Sequence, residues 1–182
     1  THDTPKPTEK GYYLITSKHI KDGKIDFPEA YFISKKDYHE INKRSKVDPA
    51  DVLFSMIGTV GETAIVKENY PSFAIKNVGL FKTNGNYLLA YWLYYYFKSS
   101  YAKRYIQDNL KGSTQKYIPL YALRDFPIVL PKNIKEMKKI VEILSTIDKA
   151  IEKTNEIIAR TERLKKGLMQ ELLTRGIIFG FM

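Results

Sequence analysis

Cysteine is absent from the 182 residues, which excludes disulfides and thiol chemistry. Histidine occurs at His2, His19 and His39 only, with no metal-ligand spacing among them, so each reads as a surface or packing residue. No apolar run reaches membrane-spanning length: the richest, YLLAYWLYYYF, is too short and too full of tyrosine. Neither common glycine loop for phosphate is present. The stretch NYPS, Asn69 to Ser72, has the wrong order for the Asn-Pro-Pro-Tyr loop of amino-methyltransferases, and no cofactor-binding glycine segment precedes it, so it reads as a turn. Asp51 and Glu62 lack the lysine that a nuclease metal site would carry two residues beyond Glu62, and they read as solvated acids at strand edges. No catalytic residue, metal or cofactor is expected. Thr1 opens without a signal-peptide pattern, which gives the expectation of a cytoplasmic protein.

What is abundant is positive charge, a net +10. Up to Asn133 there are 20 Lys and Arg against 13 Asp and Glu, a balance of +7, and beyond it 10 against 7, a balance of +3. A positive surface attracts polyanions, nucleic acid above all, through counterion release. Charge alone leaves a well-solvated basic surface equally open.

Glycine and proline nearly vanish from Ile134 onward, and a heptad replaces them. Met137, Leu144, Ile151, Ile158 and Leu172 form one series, interrupted by Lys165; Ile140, Ile147, Thr154, Thr161 and Leu168 form the other. Ala150, Ile157 and Leu164 widen the apolar face. The pattern predicts one long coiled-coil-forming helix over 134–175, stopped by Gly176, with 176–182 as a tail. At ~1.5 Å per residue such a helix is a rod about 60 Å long, too long to bury its stripe on one small domain. It calls for a second long helix, with Met137, Ile140, Leu144, Ile147, Ile151, Ile158 and Leu168 as the dimer contacts.

Residues 1–133 read as a separate, mostly-β domain. YYLITSKHI, DVLFSMI, ETAIVKE, SFAIK and VGLFKT are short strand-like runs between turn residues. Gly58 and Gly61 predict a tight hairpin whose tip holds Thr59 and Val60. The segment 86–110 has helical spacing in Leu88, Leu89, Trp92, Tyr95 and Tyr96, with a break at Ser99-Ser100. Pro127 and Pro131 bracket IVL, read as a final short strand. The expected fold is α+β: a compact, strongly curved sheet with a helical flank, followed by the long helix.

Two loops carry binding chemistry. TSKHIKDGK offers Thr16, Ser17, Lys18, Lys21 and Lys24, hydroxyls and ammonium groups suited to phosphate oxygens. KGSTQK offers Lys111, Ser113, Thr114 and Lys116 with Gln115, whose carboxamide can pair with an adenine edge. Either loop alone reads as a solvated connection; two of them on a basic β domain favour nucleic acid. Most tyrosines of the helical segment read as packing residues with wet hydroxyls.

Four segments in order, THDTPKPTEKGYYLITSKHIKDGKIDF, DPADVLFSMIGTVGETAIV, KGSTQKYIPLYALRDFPIVLP and IVEILSTIDKAIEKTNEIIARTERLKKGLMQELLTRG, resemble the specificity subunit of type I restriction-modification systems. The resemblance spans nearly the whole chain. It implies a target-recognition domain that reads double-stranded DNA, followed by a helix that pairs antiparallel with another. It also implies methyltransferase and restriction subunits as partners, and a bipartite target with a fixed spacer. By resemblance the GSTQK loop is aimed at DNA, the strand after it returns the chain to the helix, and the DNA-binding set is Ser17, Lys18, Lys21, Lys24, Thr59, Lys111, Ser113, Thr114, Gln115 and Lys116. Met137 follows Glu136 where the family commonly has glutamine, a departure at the helix start. Full-length subunits hold two such units. One domain and one helix ending in GIIFGFM give the expectation of a half-length subunit that forms a homodimer, with a fragment of a two-domain subunit as the alternative. Two other readings stand beside the non-catalytic recognition subunit: a coiled-coil scaffold whose basic domain binds an acidic protein, and a standalone nuclease or methyltransferase, against which the missing motifs argue.

Overall fold

In a computed structural model, residues 4–175 are described. The chain divides into two compact units, one ending at Met137 and one beginning at Lys138.

The first unit is built around two three-stranded sheets. β1 (Tyr12–Thr16) lies between β4 (Tyr31–Ile33), antiparallel to it, and β7 (Phe73–Lys76), parallel to it. β5 (Val52–Ser55) lies between β6 (Thr63–Ile65) and β8 (Val78–Phe81), antiparallel to both. A small hairpin of β2 (Ile20–Lys21) and β3 (Lys24–Ile25) follows a turn of 3-10 helix. Asp22 and Gly23 at its tip have φ of 49° and 77°, the left-handed pair that a two-residue hairpin turn demands. The α+β class holds, but the expected single curved sheet is divided.

β5 explains the layering. Alternate side chains of a strand point to opposite faces, and all four residues of β5 are buried. Val52 and Phe54 enter a core with Leu93, Phe97, Ile106, Ile118 and Phe126, contributed largely by the helical flank. Leu53 enters another with Ile15, Phe73, Ile75 and Val66. The Phe54, Phe97 and Phe126 rings meet edge to face with centroids 5.1–6.5 Å apart, and each buried phenyl contributes roughly 1.5–3 kcal/mol.

The flank consists of α2 (Tyr87–Lys98), α3 (Ser100–Asn109) and the short α4 (Leu120–Arg124). The expected break falls at Ser99, whose hydroxyl accepts from the Ala102 amide and caps α3. An exposed helix, α1 (Lys35–Ser45), was not foreseen. Ser34 caps it, and it contributes Tyr38, which stacks on Tyr12 at 3.9 Å.

Two expected strands are absent. Pro127 to Pro131 forms no strand. Its carbonyls are taken by side chains of α2 instead: Tyr96 Oη donates to Pro127 O at 2.5 Å and Trp92 Nε1 to Val129 O at 2.9 Å. Nor does a strand follow the GSTQK loop. Tyr117 makes single bridges to Ile57 and Lys111, and Pro119 then leads into α4. Two tyrosine hydroxyls of the flank are bonded within the chain: Tyr96 as above, and Tyr105, whose Oη donates to Ala122 O at 3.0 Å.

Asp51 also departs from its reading as a solvated acid, because it is fully buried. Its carboxylate accepts from the Asp48 amide at 2.7 Å and from Lys82 Nζ at 2.5 Å. Lys82 donates also to Asp48, at 2.6 Å. The hydrogen bond from Lys82, and then that from Lys46, hold the Asp48 carboxyl below the usual carboxylate range. Burial works against the Lys82 ammonium, but its bonds to Asp48 and Asp51 outweigh it and raise the Lys82 pKa.

The second unit is the helix α5 (Ile134–Arg175), whose first turn lies in the first unit. Asn133 starts it, its side chain accepting from the Lys135 amide. Ile147, Ile151, Ile158 and Leu168 stand exposed along it, whereas Ile140 and Leu144 are half-buried. Met137 departs from the expected dimer face: it is 8% exposed, its side chain already consumed by packing within the chain. Gly176, the 176–182 tail and His2 lie outside the described residues.

Candidate nucleic-acid interface

Three loops from distant parts of the first unit converge on one hydroxyl. Ser17 donates to the Asn77 carbonyl and accepts from the amides of Met56, at 3.0 Å, and Ile57, at 3.2 Å. Its proton and lone pairs are thus consumed by backbone, and the residue is 4% exposed. The reading of Ser17 as a phosphate contact is therefore corrected: it ties the loops that form the surface.

A second tie brings in the GSTQK loop. Lys111 and Tyr117 exchange both backbone hydrogen bonds, at 2.9 and 3.0 Å, closing a loop of 112–116. Gly112 has φ of 87°, and a Cβ there would meet the Gln115 carbonyl oxygen at 2.3 Å, so only glycine lets the loop close this tightly. The loop is then zipped to the β5–β6 turn, with the Gly58 amide donating to Lys116 O and the Ile118 amide to Met56 O, both at 2.9 Å.

These ties leave a cleft of about 710 Å³, lined by Thr16, Ser17, Lys18, Lys21, Thr59 and Gln115 among the expected residues. The cleft joins residues almost a hundred positions apart. Thr59 stands exposed between its two glycines in the β5–β6 connection, which runs over 56–62 and is longer than the tight hairpin expected. Lys111, Ser113, Thr114 and Lys116 are exposed on the closed loop but do not line the cleft, and neither does exposed Lys24 on β3. Three cleft residues, Asp22, Glu62 and Asn77, were missed as parts of such a site. A signal for Asn77 existed: asparagine enters the left-handed region more readily than most residues, and a lone one between two strand-like runs marks a tight connection. Its φ is 57°.

Beneath the cleft, His19 is a packing residue. The Thr16 amide donates to Nδ1 at 2.9 Å, which leaves Nε2–H to donate to the Glu29 carbonyl at 3.1 Å. Burial first, and then the charge of Lys18, push its pKa below 6.5. The imidazole is held neutral as a brace for the loop that carries Lys18 and Lys21.

The cleft therefore presents two lysines, two acids, a carboxamide and a threonine hydroxyl on loops tied by backbone hydrogen bonds. Among the described residues, no cluster of three or more histidines or acids could hold a metal, and no helix is long and apolar enough to cross a membrane. Residues 6–163 match the family described as the type I restriction modification DNA specificity domain, and the chain belongs to that family. The MjaX specificity subunit of Methanocaldococcus jannaschii is 31% identical over 175 residues, covering 92% of this chain and 40% of the relative. The type I restriction enzyme EcoBI specificity subunit of Escherichia coli is 25% identical over 166 residues, covering 87% and 34%. The crystal structure of the type I restriction-modification S subunit from M. genitalium shares the fold, with a TM-score of 0.55 at 17% identity over 93% of this chain and 41% of that one. The chain thus spans about 40% of the length of the M. jannaschii relative.

Proposed function

We propose that this chain is the DNA-recognition component of a type I restriction-modification assembly. In this reading Gln115 and Thr59 read base edges, because a carboxamide and a hydroxyl can discriminate among them, with Ser113 and Thr114 on the adjoining loop. Lys18, Lys21, Lys111 and Lys116 grip phosphates, since an ammonium beside the backbone carries little sequence information. The chain catalyses nothing itself; it directs methyltransferase and restriction subunits to the target.

The exposed stripe of α5 pairs antiparallel with a second copy in this reading. Two identical readers related by a two-fold axis match an inverted repeat, so the target is an interrupted palindrome. Whether the described chain acts as such a half-length subunit is part of the same proposal.

The observation that carries the reading is the single cleft into which hydrogen bonds gather the two predicted binding loops and the hairpin tip, in a chain of the DNA specificity family. The test is selection of bound sequences from random duplex DNA, using the chain with its methyltransferase subunit over a range of salt. An interrupted palindrome bound with an affinity that falls steeply with salt is expected. Sequence-blind binding overturns base reading and returns the scaffold alternative, while two unrelated half-sites overturn the two-fold arrangement.

A further inference from the structure

The β5–β6 turn separates the cleft described above from a second one of about 550 Å³. Lys98 from the end of α2, and Lys103 and Gln107 from α3, line the second cleft; all three are exposed. Lys103 and Gln107 are four residues apart and share a helix face. Thr63, also lining it, is 2% exposed, and its hydroxyl has no hydrogen-bond partner. A buried hydroxyl left unpaired points to a polar atom that arrives with a ligand or its bridging water.

Asp22 and Glu62 line both clefts, so they form an acidic ridge between two lysine-bearing hollows. Glu62 is held in place through its backbone: its carbonyl accepts from the Ser55 amide at 2.8 Å, and its amide donates to Thr59 O. A carboxylate ridge repels phosphate, and lysines on either side attract it.

We propose that the second cleft is a phosphate-binding site for nucleic acid, so that the β5–β6 turn enters a groove with one backbone on the Lys18 and Lys21 side and the other on the Lys98 and Lys103 side. This rests on the DNA-recognition reading and adds to it a second contact surface, contributed by the helical flank. The turn that carries Thr59 faces base edges, and the lysines of the two hollows hold the strands.

The test compares salt-dependent binding of duplex DNA by the full chain and three variants, each two positive charges lower: Lys103→Glu, Lys98→Ala with Lys103→Ala, and Lys43→Glu as a charge control on α1. Lys103→Glu leaves α2 untouched, so a loss seen there cannot come from the Lys98 ammonium's packing over the Tyr94 ring. Both cleft variants are expected to bind all sequences about tenfold more weakly, to lower the salt slope by about 1–2, and to select an unchanged consensus. Affinities and slopes equal to those of Lys43→Glu overturn the second site and leave the first intact. Absence of salt-dependent binding by the unaltered chain removes the DNA reading, and this inference with it.

Discussion

In the unit ending at Met137, Leu14, Ile15, Leu53, Phe54 and Ile118 are wholly buried by their own chain; along the helix beyond it, Ile147, Ile151, Ile158 and Leu168 remain 47–53% exposed. The same residue types are spent differently. One unit closes its core with aromatic and β-branched side chains drawn from strands and a helical flank. The other is a single helix, and a single helix has nothing of its own to close against. The contrast teaches that, in the proposed reading, recognition and assembly are physically separable: one can be damaged while the other stands.

The largest expected effect is on assembly. Ile151→Asp with Ile158→Asp removes four apolar side chains from the proposed two-fold interface, about 6 kcal/mol of association at roughly 1.5 kcal/mol each. Equilibrium sedimentation should find monomers, with sequence preference of each domain retained. Unchanged dimers would place the contact elsewhere.

Next comes Lys82→Ala, which strikes the first unit alone. It strands the fully buried Asp51 carboxylate without its ammonium partner. Breaking a buried pair costs about 3–5 kcal/mol. Lys82 is itself 41% exposed, so water softens the loss to about 2–3 kcal/mol in urea unfolding of the first unit. A change under about 0.5 kcal/mol would show that the network is not structural.

Gln115→Ala should relax preference at one base pair by about 1–3 kcal/mol if its carboxamide pairs with a base edge, without altering the oligomer. Binding-site selection reads the result, and an untouched consensus would remove Gln115 from the readers.

The smallest effect is a pH dependence in the first unit. His19 has its folded-state pKa below the 6.5 of the free side chain, so the unfolded chain takes up its proton first. The stability from the neutral ring is fully present above about pH 6.5 and is lost as pH falls through the folded-state value. Urea midpoints for the unaltered chain should drop in that window, and the matching component should be missing in His19→Gln. Equal slopes in both would assign the dependence to other groups.

Much of this contrast is visible in the residue pattern. The heptad of α5, the runs of β5 to β8, the glycine-flanked tip at Thr59 and the serine break at Ser99 are local signals, and each appears where its chemistry predicts. Most of the failures share a cause: a distant partner decided them. Ser17 looks like a phosphate contact until Met56, Ile57 and Asn77 use up its hydroxyl. Asp51 looks like an edge acid until Lys82 arrives from 31 residues away. IVL looks like a strand, but Trp92 and Tyr96 take carbonyls of its segment. α1 was missed for a different reason, since it buries no residue and offers only Tyr38 and Ile41 as large apolar side chains. Of the cleft, the chemical types in the two loops were legible, while the ridge acids were not, because isolated acids carry no periodic signal.

The parallel pairing of β1 with β7 brings Tyr13 opposite Phe73, with most of the first unit's strands lying between them in sequence. Contacts that far apart require a long loop to close before they return any stabilisation, which slows folding. The backbone hydrogen bonds of α5 link residues only four apart, and such local structure forms in about a microsecond. During synthesis, β1 must wait for β7 to emerge, and the cleft for Gln115. The surface that reads DNA in the proposed function is therefore expected to be among the last parts of its unit to form.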